Sequence, residues 1–236
     1  MGKIDDIQAY KEWTEYHRSL KRDKAADNLS PVERKKKLEK LEANVIEWIL
    51  FFFSEFAKYP FTKFHKKAIK RITTNMEWYE VLSWSRELAK STIVFMCMMY
   101  LVLTGKKKNV LLISNSHENA VRLLEPYKKA FESNSMLKAY YGDLREFGSW
   151  TADEFTLTTG ATFRAIGALE SPRGTRKDAV RPDTALVDDF DTDADCRNPD
   201  ILKKKWEWFE EALFPTRSIS EDLLVIFCGN LIALDC

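Results

Sequence analysis

Trp84-Ser85-Arg86-Glu87-Leu88-Ala89-Lys90-Ser91-Thr92 is the stretch on which the fold turns. It lies between a short apolar run at 79–83, read as a buried strand, and a longer one at 93–103, read as a buried helix. A strand–loop–helix with Lys-Ser at the helix start is where a phosphate loop belongs. Backbone N–H groups and the helix dipole collect the anion, the lysine reaches the β and γ phosphates, and the hydroxyl takes Mg²⁺. On this reading Ser85, Arg86, Glu87, Leu88, Ala89, Lys90, Ser91 and Thr92 form the nucleotide-binding segment, with Ser91 on the metal. The G-x-x-x-x-G-K-[ST] consensus is met only at its end, because Trp84 and Ala89 stand where its two glycines would be. Ala89 is the smallest substitute and preserves close backbone approach provided its φ is negative. Taken alone, the segment is equally an ordinary helix start with a lone lysine.

The second informative segment is Thr184-Ala185-Leu186-Val187-Asp188-Asp189-Phe190-Asp191. A short apolar strand ending in adjacent carboxylates brings one acid to Mg²⁺ and another to a water. Asp188 is the expected metal-side residue and Asp189 the expected water-polarising one, with Asp191 in reserve. The plainer alternative is an acid-rich loop, since residues 183–200 hold seven aspartates and one base, Arg197. A loop carrying Lys-Ser, followed roughly 100 residues later by a strand ending in Asp-Asp, is the constellation of a P-loop NTPase. Its ligands are ATP and Mg²⁺. Arg173, Arg176 and Arg181 crowd the approach to the acid strand, where an arginine can stabilise charge on a transferring phosphoryl group or simply pair with the aspartates. A last strand, at 225–228, runs into Gly229-Asn230, where Asn230 is placed to sense a γ-phosphate.

Outward from these motifs, apolar runs at 79–83, 110–113, 185–187 and 223–227 alternate with helix-length segments near 90–104, 116–133 and 198–213. That alternation predicts an α/β fold with a mostly parallel sheet covered on both faces. Runs at 155–158 and 162–166 flank Thr159-Gly160-Ala161 as a hairpin. Upstream, Ser30-Pro31-Val32-Glu33 is a helix start. Leu38, Leu41, Val45, Trp48 and Phe52 follow as one apolar stripe, with Pro60 as its stop. The expected organisation is a helical N-terminal lobe over 1–60 and a P-loop ATPase domain over 61–236. Between them, residues 58–71 carry Lys58, Lys63, Lys66, Lys67, Lys70 and Arg71 with no acid. Such a run is either a solvated helix face or a phosphate-facing surface.

The totals bound the function. Lys and Arg number 37 against 36 Asp and Glu, which excludes a wholly basic, histone-like binder and leaves only local patches for nucleic acid. No apolar run approaches the ~20 residues of a bilayer span. The four cysteines form no C-x-x-C pair, so neither zinc nor a disulfide framework is expected.

In this order the pieces resemble the ATPase half of the large terminase subunit, the motor that packages DNA into tailed-phage proheads. The similarity runs from about Phe53 to the end of the sequence. Ser85-Arg86-Glu87-Leu88-Ala89-Lys90-Ser91-Thr92 is similar to the family's deviant phosphate loop, in which an arginine precedes the lysine. Ile113-Ser114-Asn115-Ser116 resembles its serine-rich strand end. Trp150-Thr151-Ala152-Asp153-Glu154-Phe155 looks like its acidic hairpin, and Arg181-Pro182-Asp183 through Asp188-Asp189 like its entry into the acid strand. Gly229-Asn230 matches the strand end that couples hydrolysis to movement.

The resemblance implies an ATPase with the additional-strand (ASCE-type) P-loop fold. It implies roles for Lys90, Ser91 and Asp188 on phosphate and metal, and for Arg86 as the loop arginine. Asp189 stands where many members carry Glu as catalytic base. Arg173 or Arg176 resembles the arginine offered to a neighbouring subunit, and Pro60-Phe61-Thr62-Lys63-Phe64-His65 the segment near adenine. Implied partners are double-stranded DNA, the portal protein, the small terminase subunit and further copies in a ring. The implied location is the cytoplasm of an infected bacterial host and, transiently, the prohead portal vertex. Family members continue into an RNase H-like nuclease domain, and no nuclease activity is expected of these 236 residues. Two other readings compete: a helicase-like P-loop ATPase in DNA repair or transfer, and a non-hydrolysing nucleic-acid-binding module.

Overall fold

A computed structural model describes residues 29–57, 59–172, 181–217 and 222–229. The chain enters through α1 (Pro31–Glu42), whose cap is reciprocal. The Ser30 hydroxyl accepts from the Glu33 N–H, and the Glu33 carboxylate accepts from the Ser30 N–H. The single helix expected up to Pro60 is in fact two. Asn44 is extended, at φ −132° and ψ 99°, and its side-chain oxygen accepts from Ile46 and Glu47 to start α2 (Val45–Phe52). The apolar stripe crosses the break unchanged, because periodicity reports side-chain spacing and not backbone continuity. Next comes α3 (Lys63–Thr74), capped by Thr62 and burying Ala68, Ile69, Ile72 and Thr73.

Seven strands follow. They are β1 (Trp78–Leu82), β2 (Asn109–Ser114), β3 (Arg145–Trp150), β4 (Glu154–Leu157), β5 (Thr162–Gly167), β6 (Thr184–Asp188) and β7 (Leu224–Cys228). Their order in the sheet is β1-β7-β6-β2-β5-β4-β3. Every pairing from β1 through β5 is parallel, while β4 and β3 fold back antiparallel. The expected parallel α/β sheet is present, and so is the 155–166 hairpin, with Gly160 at φ +81° in its turn.

Alternate residues of each strand go to opposite faces. On one face Leu82, Val110, Leu112, Phe163, Leu186 and Ile226 share a core with α2, with α4 (Lys90–Leu103) and with α5 (His117–Ser133). Trp48, Phe52 and Phe53 of the entry segment are fully buried in that same core. Each such side chain contributes about 2–3 kcal/mol by burial. Beyond α5 a short helix, α6 (Ser135–Tyr141), leads to β3. On the other face Leu111, Ile113, Ala185, Val187 and Val225 pack against Phe190, Phe209 and Leu213. The last two belong to a π-helical turn (Trp208–Leu213) that continues α7 (Pro199–Glu207).

The starting ends of the strands are locked together by a buried lysine. Lys107 Nζ donates to the carbonyls of Met76, Asp183 and Asp222 at 2.9, 3.0 and 2.8 Å. The Asp183 carboxylate in turn accepts from the N–H groups of Lys108 and Asn109. The opposite ends of β1, β7 and β6 carry the site. Among the described residues no helix is long and apolar enough to cross a membrane. Cys97 and Cys228 are buried thiols. Cys196 is disulfide-bonded.

Candidate active site

After Leu82 the chain loops through residues 83–89 before α4 begins at Lys90. Ser85, Arg86, Glu87, Leu88 and Ala89 are all exposed. Glu87 and Ala89 are left-handed, at φ +69° and +58°. The condition attached to Ala89, a negative φ, is therefore not met. The loop keeps the backbone that a glycine would give it and holds an alanine there at a cost of roughly 1 kcal/mol. Trp84, at the other glycine position, is half-buried and packs edge-on against Phe64, with ring centroids 4.9 Å apart, and against His65.

Lys90 points back across the loop. Its Nζ donates to the Trp84 carbonyl at 2.5 Å and to the Gly229 carbonyl, past the end of β7, at 2.9 Å. One residue on, Ser91 Oγ donates to Asp188 Oδ2 at 2.6 Å. Asp188 ends β6 and is nearly fully buried, and burial pushes its carboxyl up to about 6. The Ser91 hydrogen bond and the Lys90 charge pull the other way, while the neighbouring Asp189 pushes further up. Lys-Ser and Asp-Asp, far apart in sequence, are thus side by side.

The remaining acids separate clearly. Asp189 is exposed and left-handed, at φ +46°. Its backbone bonds Cys228 and Asn115, and its carboxylate has no partner among the described residues. Asp191 and Asp195 both reach the buried Lys205, at 3.4 and 2.6 Å. Lys205 also donates to the Phe190 carbonyl. Asp191 is therefore engaged in an ion pair, unlike Asp189. Arg86 is exposed with no ion pair among the described residues. Arg173, Arg176 and Asn230 lie outside the described residues.

His65 is a member of the site that the motifs did not single out. At the third position of α3 its Nδ1 accepts from the Thr62 N–H at 3.3 Å. That assigns the ring proton to Nε2, which donates to the Leu88 carbonyl in the loop at 3.2 Å. Burial holds its pKa below the usual imidazole value. The sequence signals were the Thr62…His65 spacing of a capping box and the resemblance of residues 60–65 to the segment near adenine.

A cleft of about 170 Å³ opens beside Ser91 and Asp188, lined also by Thr92, Phe95, Arg122 and Tyr127. The Tyr127 hydroxyl is buried and unbonded among the described residues. A larger open groove, about 1290 Å³, runs along α5 past Phe53, Arg122 and Lys129. It contains none of the loop or β6 residues, so volume alone does not mark the site. No group of three or more His, Cys, Asp and Glu is arranged for a metal among the described residues. The Ser91 hydroxyl and the Asp188 carboxylate beside the cleft are both oxygen donors. That suits a hard cation taking its other ligands from phosphate and water, as Mg²⁺ does. No family model matches the chain, and no curated protein matches it.

Proposed function

We propose that this chain is a P-loop NTPase of the additional-strand type that hydrolyses ATP with Mg²⁺. Its work would be that of the large terminase subunit: driving double-stranded DNA through a portal into a viral prohead. The observation that carries the reading is the 2.6 Å bond from Ser91 to Asp188, which brings the loop hydroxyl and the strand-end carboxylate to one point. The sheet order supports it, because β7 lies between the loop strand β1 and the acid strand β6, where the additional strand of that class belongs.

Each residue then has a task. Backbone N–H groups of the exposed loop 85–89 and of the start of α4 would receive the phosphates, with Leu88 first releasing its bond to the Ser85 carbonyl. Lys90 would exchange its two carbonyl partners for phosphate oxygens. Ser91 and Asp188 would hold Mg²⁺, which supplies charge neutralisation at the transferring phosphoryl group. Asp189, with its carboxylate unengaged, would orient the attacking water, and Arg86 on the loop is the cation offered from the same subunit. Phe64 and Trp84 flank the loop as an aromatic seat for a base. Little covalent chemistry is asked of the protein, so positioning and electrostatics carry the rate.

The test is Mg²⁺-dependent ATP hydrolysis by the wild-type chain and by Lys90→Ala. Hydrolysis should vanish in the variant while its circular dichroism and melting stay native. Equal turnover in a folded Lys90→Ala protein would overturn the reading. Duplex translocation with and without portal-bearing proheads separates a packaging motor, which needs the portal, from a helicase-like ATPase, which does not.

A further inference from the structure

We infer that the outward face of α3 is a docking surface for the backbone of double-stranded DNA, set directly beside the nucleotide loop. The inference takes the choice of polymer from the reading above, but its observations are separate. Lys63, Lys66, Lys67 and Lys70 are all exposed on α3. At 3.6 residues per turn they fall within an arc of about 100° and form a row about 10 Å long. That length matches the rise of roughly three phosphates along one strand. The buried side chains Ala68, Ile69 and Ile72 occupy the other side, and buried Thr73 lies at the margin of the row.

What sets this row apart is its missing counter-charge. The helix carries five Lys and Arg and no acid. The other described helices with more than one base interleave acids: Glu33, Glu39 and Glu42 in α1, Glu118, Glu125 and Glu132 in α5, Asp200 and Glu207 in α7. Arg71 is engaged by the buried Glu80 of β1 through a bidentate pair. The four lysines have no ion-pair partner among the described residues. Like charges at i,i+3 and i,i+4 spacing repel, so the row costs the helix stability and a polyanion would relieve it. A lipid surface fits poorly, because interfacial helices insert an apolar face and that of α3 is already buried in the protein. The row also sits where it matters, since His65 of the same helix holds the Leu88 carbonyl of the loop.

Binding of a labelled duplex, measured across a salt series without nucleotide, tests the proposal. The comparison is the triple variant Lys66→Gln, Lys67→Gln, Lys70→Gln against an equal charge change on α1, Lys35→Gln, Lys36→Gln, Lys40→Gln. Each lost phosphate contact lowers the slope of log K against log salt by about 0.9, so the α3 variant should lose about 2.7 and the α1 variant much less. Equal slopes in wild type and the α3 variant, or equal losses in both variants, overturn it. So does wild-type protein that binds phosphatidylserine vesicles and not the duplex. Should the triple variant melt below wild type, the single Lys67→Gln variant carries the same test with an expected loss of about 0.9. Failure of DNA binding alongside intact ATP hydrolysis rejects this surface alone. DNA binding without any hydrolysis rejects the ATPase reading alone.

Discussion

The Ser91 hydroxyl donates to Asp188 Oδ2 at 2.6 Å, joining the first turn of α4 to the last residue of β6. The carboxylate is nearly fully buried there, and burial disfavours the charged form more than the Ser91 hydrogen bond and the Lys90 charge favour it, so the pKa is raised to about 6. The sign follows directly. Because the folded value exceeds the unfolded one, the folded state binds the proton more tightly, and stability falls as pH rises from about 4 to about 6. In EDTA at pH 8, Asp188→Asn should therefore stabilise the protein by on the order of 2 kcal/mol in urea melts. At pH 4.5 the advantage should be small. A destabilised Asn variant at pH 8 would mean that the carboxylate is compensated by groups other than those seen around it.

The left-handed Ala89 gives a second expectation. Ala89→Gly removes the Cβ that disfavours φ +58° and should be neutral to stabilising by up to about 1 kcal/mol, because glycine also loses more entropy on folding. Ala89→Val places a β-branched residue in the same conformation and should cost more than about 1 kcal/mol. In thermal melts the Val variant should fall below wild type and the Gly variant should not. A Val variant as stable as wild type would contradict the loop conformation.

His65 ties α3 to the loop only as the neutral ring, since Nδ1 must accept from Thr62 while Nε2 donates to Leu88. Its folded pKa lies below the unfolded value, so the stability it contributes is present above about pH 6.5 and is lost as pH falls below that. Glutamine offers an acceptor and a donor in similar places. His65→Gln should therefore keep the wild-type KM for ATP, while His65→Leu should raise it several-fold with a smaller change in kcat. A Leu variant with unchanged KM would reduce His65 to a helix cap.

Lys107 saturates three carbonyls at the starting ends of β1, β6 and β7. Lys107→Met preserves the chain length but leaves buried acceptors unmet, at a cost of about 2–4 kcal/mol. Chemical denaturation should show that loss without any change in Mg²⁺-dependent nucleotide binding, because the site lies at the other ends of the strands.

The parts of the site that could be read from the chain were those written locally. Lys90-Ser91 after a strand and Asp188-Asp189 at the end of another each announce themselves within ten residues, and the strand and helix positions between them followed from apolar runs. What escaped was nonlocal or conformational. The break at Asn44 left the apolar stripe intact and so left no mark in its period. The φ of Ala89 is set by loop closure, and an alanine gives no hint of it. His65 meets Leu88 23 positions away. Asp191 looked like an available acid until the fold brought Lys205 to it, and no composition count anticipates that pairing.

The position of β7 has a mechanical consequence. Its last residue, Cys228, is in register with Asp188 on one side and Leu82 on the other, and the Gly229 carbonyl just beyond holds Lys90. Any ligand that draws Lys90 toward itself strips that carbonyl of a donor at the free end of a strand gripped along both edges. That carbonyl must then find water or another donor, so the end of β7 registers where the Lys90 ammonium points.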